Sequence, residues 1–175
     1  ASSFKKRLCG AAWVNSKASK KDMFTGSSGY LCTATSAFSP QSKVELKRAV
    51  DAYVELYPKG HCPDCPHGPI GEWDVSRVAS MSNIFEDASS FNSDISKWDV
   101  LNVATMSAMF AGATFFNGDL SKWDVASVVN MNAMFWGAAA FNVDISKWDV
   151  LIVTNMKIMF SCAKNFNRDL SKWVT

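Results

Sequence analysis

Residues 116–150 read FNGDLSKWDVASVVNMNAMFWGAAAFNVDISKWDV, and the stretch begins to repeat itself after 25 residues. Phe116-Asn117 returns as Phe141-Asn142, and Lys122-Trp123-Asp124-Val125 as Lys147-Trp148-Asp149-Val150. Working outward, the same step puts Trp73, Trp98, Trp123, Trp148 and Trp173 in one row. Met81, Met106, Met131 and Met156 form a second row, and Phe85, Phe110, Phe135 and Phe160 a third. Phe91, Phe116, Phe141 and Phe166 form a fourth, beside rows of Val (78, 103, 128, 153) and Ile/Leu (95, 120, 145, 170). Self-similarity at a period of this length marks a repeat architecture, in which one unit cannot bury its own apolar face and neighbours must stack. The Met, Phe, Val and Ile/Leu rows are therefore expected to be core.

Each unit also has an internal periodicity. Met106, Met109, Phe110 and Ala113 fall at i, i+3, i+4 and i+7, the stripe of one helix face. Ser80, Thr105, Asn130 and Asn155 stand where an N-cap belongs, and Gly112 and Gly137 where a C-terminal turn belongs. These signals predict a helix of about two turns, too short to persist without packing. Trp98, Val100 and Val103 predict an extended segment before it, with a second around Ile95. Stacked units would then pair edge to edge at ~4.8 Å. Asn92, Asn117, Asn142 and Asn167 each follow a core Phe, and an Asn once per turn can bond backbone groups of the next turn. This row reads as an asparagine ladder. The Trp row reads as half-buried packing, with an exposed aromatic strip for sugars as the alternative.

The chain has 175 residues, 48% of them apolar, enough for a sizeable core. The formal net charge of +2 argues against an electrostatic nucleic-acid binder, but it conceals an asymmetry. Residues 1–50 carry +7 and the remaining 125 carry −5. No stretch approaches the ~18 apolar residues of a spanning helix, so no transmembrane segment is expected. Lys5, Lys6 and Arg7 are not followed by an apolar run, so the start does not read as a secretory signal.

Before the repeats, Ser42 and Glu45 have the form of a capping box, and Leu46, Ala49, Val50, Tyr53, Leu56 and Tyr57 make a helical stripe. Pro58 and Gly60 stop it, which predicts a helix over about 43–57. Covering the open end of a stack is its expected role. His61-Cys62-Pro63-Asp64-Cys65-Pro66-His67 follows. Cys62 and Cys65 read first as disulfide partners of Cys9 and Cys32, with the pairing open. Free thiols, a zinc site of His61, Cys62, Cys65 and His67, and a redox pair are the alternatives. Cys162 takes the place of Gly112 and Gly137 and is expected free at a turn.

Two aspartate rows (74, 99, 124, 149 and 94, 119, 144, 169) face a lysine row (97, 122, 147, 172). They read as turn and salt-bridge residues, with calcium between adjacent repeats as the alternative. No nucleophile–base–orienter set and no phosphate loop appears, so the chain does not read as an enzyme. A zinc- or thiol-dependent enzyme centred on Cys62 and Cys65 is the remote alternative.

The W-D-V, M-x-x-M-F and F-N-x-D-[IL]-S motifs resemble the BspA-like surface-protein repeat, a relative of the leucine-rich repeat, over Gly71 to Val174. The segment from Ser42 to Val78 is similar to the opening of such arrays in microalgal proteins. Residues 1–29 resemble a degenerate end of a preceding array, through Phe4, Leu8, Trp13 and Met23-Phe24, so the chain reads as part of a longer product. The predicted organisation is thus 1–29 array end, 30–71 linker, capping helix and Cys/His/Pro loop, and 72–175 four to five repeats. The predicted fold is an α/β repeat: a right-handed, leucine-rich-repeat-like solenoid of short strands plus a short helix, with an N-terminal capping helix. The resemblance implies a non-catalytic interaction, adhesion or scaffold module on the cell surface or outside the cell, with protein partners. An accessory or linker subunit docked on a larger complex, in an organelle lumen or at the periphery of a membrane complex, is the alternative. A glycan- or calcium-binding surface module is a further one.

Overall fold

The computed structural model describes residues 7–8, 30–31, 37–57, 65 and 67–173. The expected array end at 1–29, apart from one short strand, and His61, Cys62, Cys9 and Cys32 lie outside the described residues. Two two-residue strands, β1 (Arg7–Leu8) and β2 (Tyr30–Leu31), pair in parallel. Among the described residues one α-helix, α1 (Lys43–Leu56), follows, and then a 3₁₀ turn, Ile70–Glu72.

From Trp73 onward the chain makes 25-residue coils stacked on one another. Three isolated parallel bridges mark the register: Ser80 with Thr105, Thr105 with Asn130, and Asn130 with Asn155. The interior rows are enclosed in the inner coils and half-buried in the last, at Val153, Met156, Phe160, Phe166 and Leu170. Met106, Phe110, Phe116, Met131, Phe135 and Phe141 are each 0% exposed. The rings form two parallel columns: Phe85, Phe110, Phe135 and Phe160 stack at 5.3–5.7 Å between neighbours, nearly coplanar in direction. Phe91, Phe116, Phe141 and Phe166 stack at 5.8–6.3 Å beside them.

The expected α/β solenoid of strand–helix coils is overturned. Within the described coils there is no α-helix and no strand longer than a bridge. The segment with the helical stripe shows why. Met106, Ala108, Phe110 and Gly112 donate their N–H groups at 2.8–2.9 Å to the carbonyls of Asn130, Asn132, Met134 and Trp136 in the next coil. Met109 and Ala111, which alternate with them, and Ala113, which follows, donate three residues back, to Met106, Ala108 and Phe110. A helix would need every N–H bonded four residues back along its own axis. Here half of them are turned outward to join coils instead.

That alternation requires left-handed backbone twice per coil. Asn83, Ala108, Ala133 and Ile158 (φ 50–63°) fill one such position; Asp87, Gly112, Gly137 and Cys162 (φ 57–69°) fill the other. A Cβ at Gly112 would meet the Asp87 Oδ1 atom at 2.3 Å, a contact that the exposed Asp87 side chain can relieve by swinging away, so the left-handed φ is the reason for glycine. A two-turn helix is costly to nucleate, so the inter-coil bonds prevail. The apolar stripe survives because tight turns return side chains inward at nearly helical spacing.

The expected extended segments are turns as well. Val128 N–H donates to the Val125 carbonyl and Trp123 N–H to the Leu120 carbonyl, at 2.9 and 3.1 Å. The aspartates cap them: Asp119 Oδ1 accepts from Ser121 N–H at 2.9 Å, and Asp124 Oδ1 from Ala126 N–H at 3.1 Å. Apolar alternation here comes from side chains pointing in between caps pointing out.

Helix α1 lies against the first coil. Ser42 is its N-cap, its side chain accepting from Glu45 N–H, while the Glu45 carboxylate accepts from Gln41 N–H at 2.9 Å. Leu46, Val50 and Tyr53 are buried, and the Tyr53 hydroxyl lies 3.4 Å from that of Ser93. Phe38, before the helix, accepts from Asp74 N–H at 2.9 Å and sets its ring edge-on to Trp73.

Candidate interaction surface

The tryptophan row packs with the core rather than forming a sugar-facing strip, and only Trp173 in the last coil is half-buried. Trp98, Trp123 and Trp148 are only 3–4% exposed. Each indole Nε1–H donates to a carbonyl of the preceding coil: Trp98 to Ile70 at 2.8 Å, Trp123 to Ile95 at 3.3 Å, Trp148 to Leu120 at 3.0 Å. A buried indole N–H needs such a partner, and it takes the second lone pair of a carbonyl that already accepts the N–H of Trp73, Trp98 or Trp123 in its own turn. Outside the core, the asparagines run as a chain. Asn92 Oδ1 accepts from Asn117 N–H, Asn117 Oδ1 from Asn142 N–H, and Asn142 Oδ1 from Asn167 N–H, at 2.9–3.1 Å.

The carboxylates are occupied by the turns. In Asp74, Asp94 and Asp119 the hydroxyl of the serine two residues on, and then its N–H, hold the carboxyl below its ordinary pKa. In Asp144 and Asp169 the serine N–H comes first and its hydroxyl second, with the same direction. Both bonds favour the ionised form. Among the described residues, no three His, Cys, Asp or Glu side chains gather where they could hold a metal ion. The ion pair formed among them is Lys47–Asp51 within α1, so the lysine row does not bridge the aspartate rows.

Of the Cys/His/Pro loop, Cys65 is half-buried and disulfide-bonded, and its partner is not among the described residues. His67 stacks on Phe38 with centroids 4.0 Å apart. Cys162 is a free, exposed thiol at a left-handed turn. The other two members of the zinc alternative, His61 and Cys62, lie outside the described residues.

What reading for chemistry overlooked is aliphatic. Leu101 (46% exposed), Val129, Leu151 (64%) and Ile152 project from the turn tips after the W-D-V motifs. Leu101, Ala126 and Leu151 occupy one position of successive coils, and Val129 is bonded through its backbone to Ala104 and Thr154 in the coils either side. They share one corner of the stack, beside the Asp99, Asp124 and Asp149 row. Comparison down the columns could have found them: Leu101 and Leu151 correspond to Ser76, and Ile152 corresponds to Arg77, Asn102 and Ser127.

With this arrangement the chain can be placed. The family described as "Mycoplasma protein of unknown function, DUF285" matches residues 61–175. The chain belongs to the DUF285 family. No curated protein and no solved structure matches it. In this DUF285 member the matched region contains the whole stack of coils, whereas α1 precedes it. No helix among the described residues is long and apolar enough to cross a membrane.

Proposed function

We propose that this chain is a non-enzymatic protein-interaction module, used for adhesion or as a scaffold, whose binding face is the aliphatic corner of the stack. The observation that carries the reading is the exposure of Leu101, Val129, Leu151 and Ile152 at one corner of adjoining coils, whereas Phe115, Trp136 and Ile158 are exposed on other turns of the same coils. Contiguous apolar surface rimmed by charge marks interaction sites on soluble proteins. The rim here is the Asp99, Asp124 and Asp149 row, with Lys97, Lys122 and Lys147 two residues before it. The core beneath is rigid, since every coil is tied to the next by backbone, indole and asparagine bonds. Display on a cell surface follows from the BspA-like resemblance of the repeats. Attachment as an accessory subunit of a larger complex would use the same corner.

The test is affinity purification from native material with the wild-type chain and with a Leu101→Lys/Leu151→Lys double variant. The wild type should retain a defined protein that the variant loses, with both chains equally stable. Equal retention by the two would place the binding face elsewhere.

A further inference from the structure

The aliphatic corner and the carboxylates beside it have one origin in the sequence. In the first coil the position two after Asp74 is Ser76, whose hydroxyl and N–H both donate to Asp74 Oδ1, at 2.6 and 3.2 Å. In the next three coils that position holds Leu101, Ala126 and Leu151. Each still donates its backbone N–H to Oδ1 of Asp99, Asp124 or Asp149, at 3.1 Å, but has no hydroxyl to give. One replacement thus adds apolar surface and leaves each carboxylate with a single bond. No cation among the described residues pairs with any of the three. Trp98 and Val100 are buried between exposed Lys97, Asp99 and Leu101, so the perimeter runs lysine row, carboxylate row, aliphatic row. A partner seated on the leucines therefore meets the carboxylates at its flank before it meets the lysines.

The spacing selects the partner's backbone. Equivalent rings of successive coils are 5.3–5.7 Å apart in the Phe85 column. An α-helix advances ~5.4 Å per turn, so one lying along the stack keeps step with it, one turn per coil. An extended segment repeats a face every ~6.7 Å and drifts by about 1 Å per coil. Nor is there a row of donors for strand addition. The N–H groups of Leu101 and Leu151 are held by the aspartates, and that of Val129 by the Ala104 carbonyl at 2.9 Å.

We propose that the corner seats a basic amphipathic helix of another protein. Its apolar stripe would lie on Leu101, Val129, Leu151 and Ile152, with Lys or Arg along one flank against Asp99, Asp124 and Asp149. This rests on the corner being the binding face and names its partner. The probe is a synthetic helical peptide of about four turns with a leucine stripe and lysines on one flank, titrated into the full chain by fluorescence anisotropy. It should bind saturably, and more weakly at high salt than at low. Asp99→Asn/Asp124→Asn/Asp149→Asn, in which asparagine keeps the oxygen that accepts the turn N–H, should weaken it about tenfold. Leu101→Ser/Leu151→Ser, serine being the residue of the first coil, should weaken it at least about tenfold. The same peptide with glutamates for its lysines, or with a central proline that breaks the helix, should also bind about tenfold more weakly. Equal binding of either control peptide, an unchanged affinity of the Asn variant, or no saturable binding would overturn the proposal. Retention of a native protein that depends on Leu101 and Leu151 but not on the three carboxylates would overturn the basic helix and leave the corner as the binding face. Retention independent of both would overturn the corner as well.

Discussion

Phe135→Ala is the substitution that most directly tests the stacked core. The ring is 0% exposed and is stacked on Phe110 at 5.6 Å, on Phe160 at 5.7 Å and on Phe141 at 3.8 Å. Truncating such a side chain costs about 3–5 kcal/mol, the transfer loss plus the cavity left behind. Neighbouring coils cannot collapse into the gap, because their spacing is fixed by the backbone bonds from Phe110 N–H to Met134 and from Phe135 N–H to Met159. The upper half of the range is therefore expected. For a chain of this size that corresponds to a melting temperature lower by roughly 8–20 °C.

Two other phenylalanines calibrate the measurement. Phe160, in the same column but only half-buried, should cost about half as much on truncation to alanine. Phe115, 66% exposed, should change stability by no more than ~0.5 kcal/mol. Urea unfolding followed by tryptophan fluorescence gives all three values, because the reporting indoles are themselves in the core. A cost below about 1 kcal/mol for Phe135→Ala, or one no larger than that of Phe160→Ala, would refute a continuous ring column.

Four further outcomes are expected. Trp123→Phe removes the indole bond to the Ile95 carbonyl, which keeps its bond from Trp98 N–H, and leaves the volume of the lost ring empty, so it should cost about 1–3 kcal/mol in the same unfolding assay, a neutral result contradicting the buried indole. Ile158→Asn should stabilise by about 1 kcal/mol, because Ile158 sits at φ 50° and asparagine tolerates that region; destabilisation would argue against the left-handed turn. The carboxyls of Asp74, Asp94, Asp119, Asp144 and Asp169 have folded pKa values depressed below the unfolded ones, so their contribution is present above about pH 4 and is lost as pH falls through the folded values. Urea midpoints at descending pH should drop in that window, and Asp119→Asn, which keeps an accepting oxygen but does not titrate, should shallow the drop. Intact mass with and without reductant should reveal the Cys65 disulfide as a mass increase on reduction, and an unchanged mass would exclude it.

The 25-residue step and the inward rows were decided by sequence alone. An apolar row repeated four times in register has no low-energy arrangement except inside a stack, whatever the backbone does between its members. For the same reason the helix starting at Ser42 was legible: its cap, its stripe and its proline stop are all local, and it runs Lys43–Leu56. The path of the chain within each coil was not legible. Met106, Met109, Phe110 and Ala113 satisfy a helical face and a pair of tight turns equally well. The choice between them was made by carbonyls 24 residues away, at Asn130, Asn132, Met134 and Trp136. The row of tryptophans marked them as packing residues, but not how deeply they lie, because burying an indole depends on an acceptor in the preceding coil. Side-chain periodicity fixes which residues go inside; where each backbone N–H finds its acceptor is a tertiary matter, and in this fold half of those in the Met–Phe segment find it in the neighbouring coil.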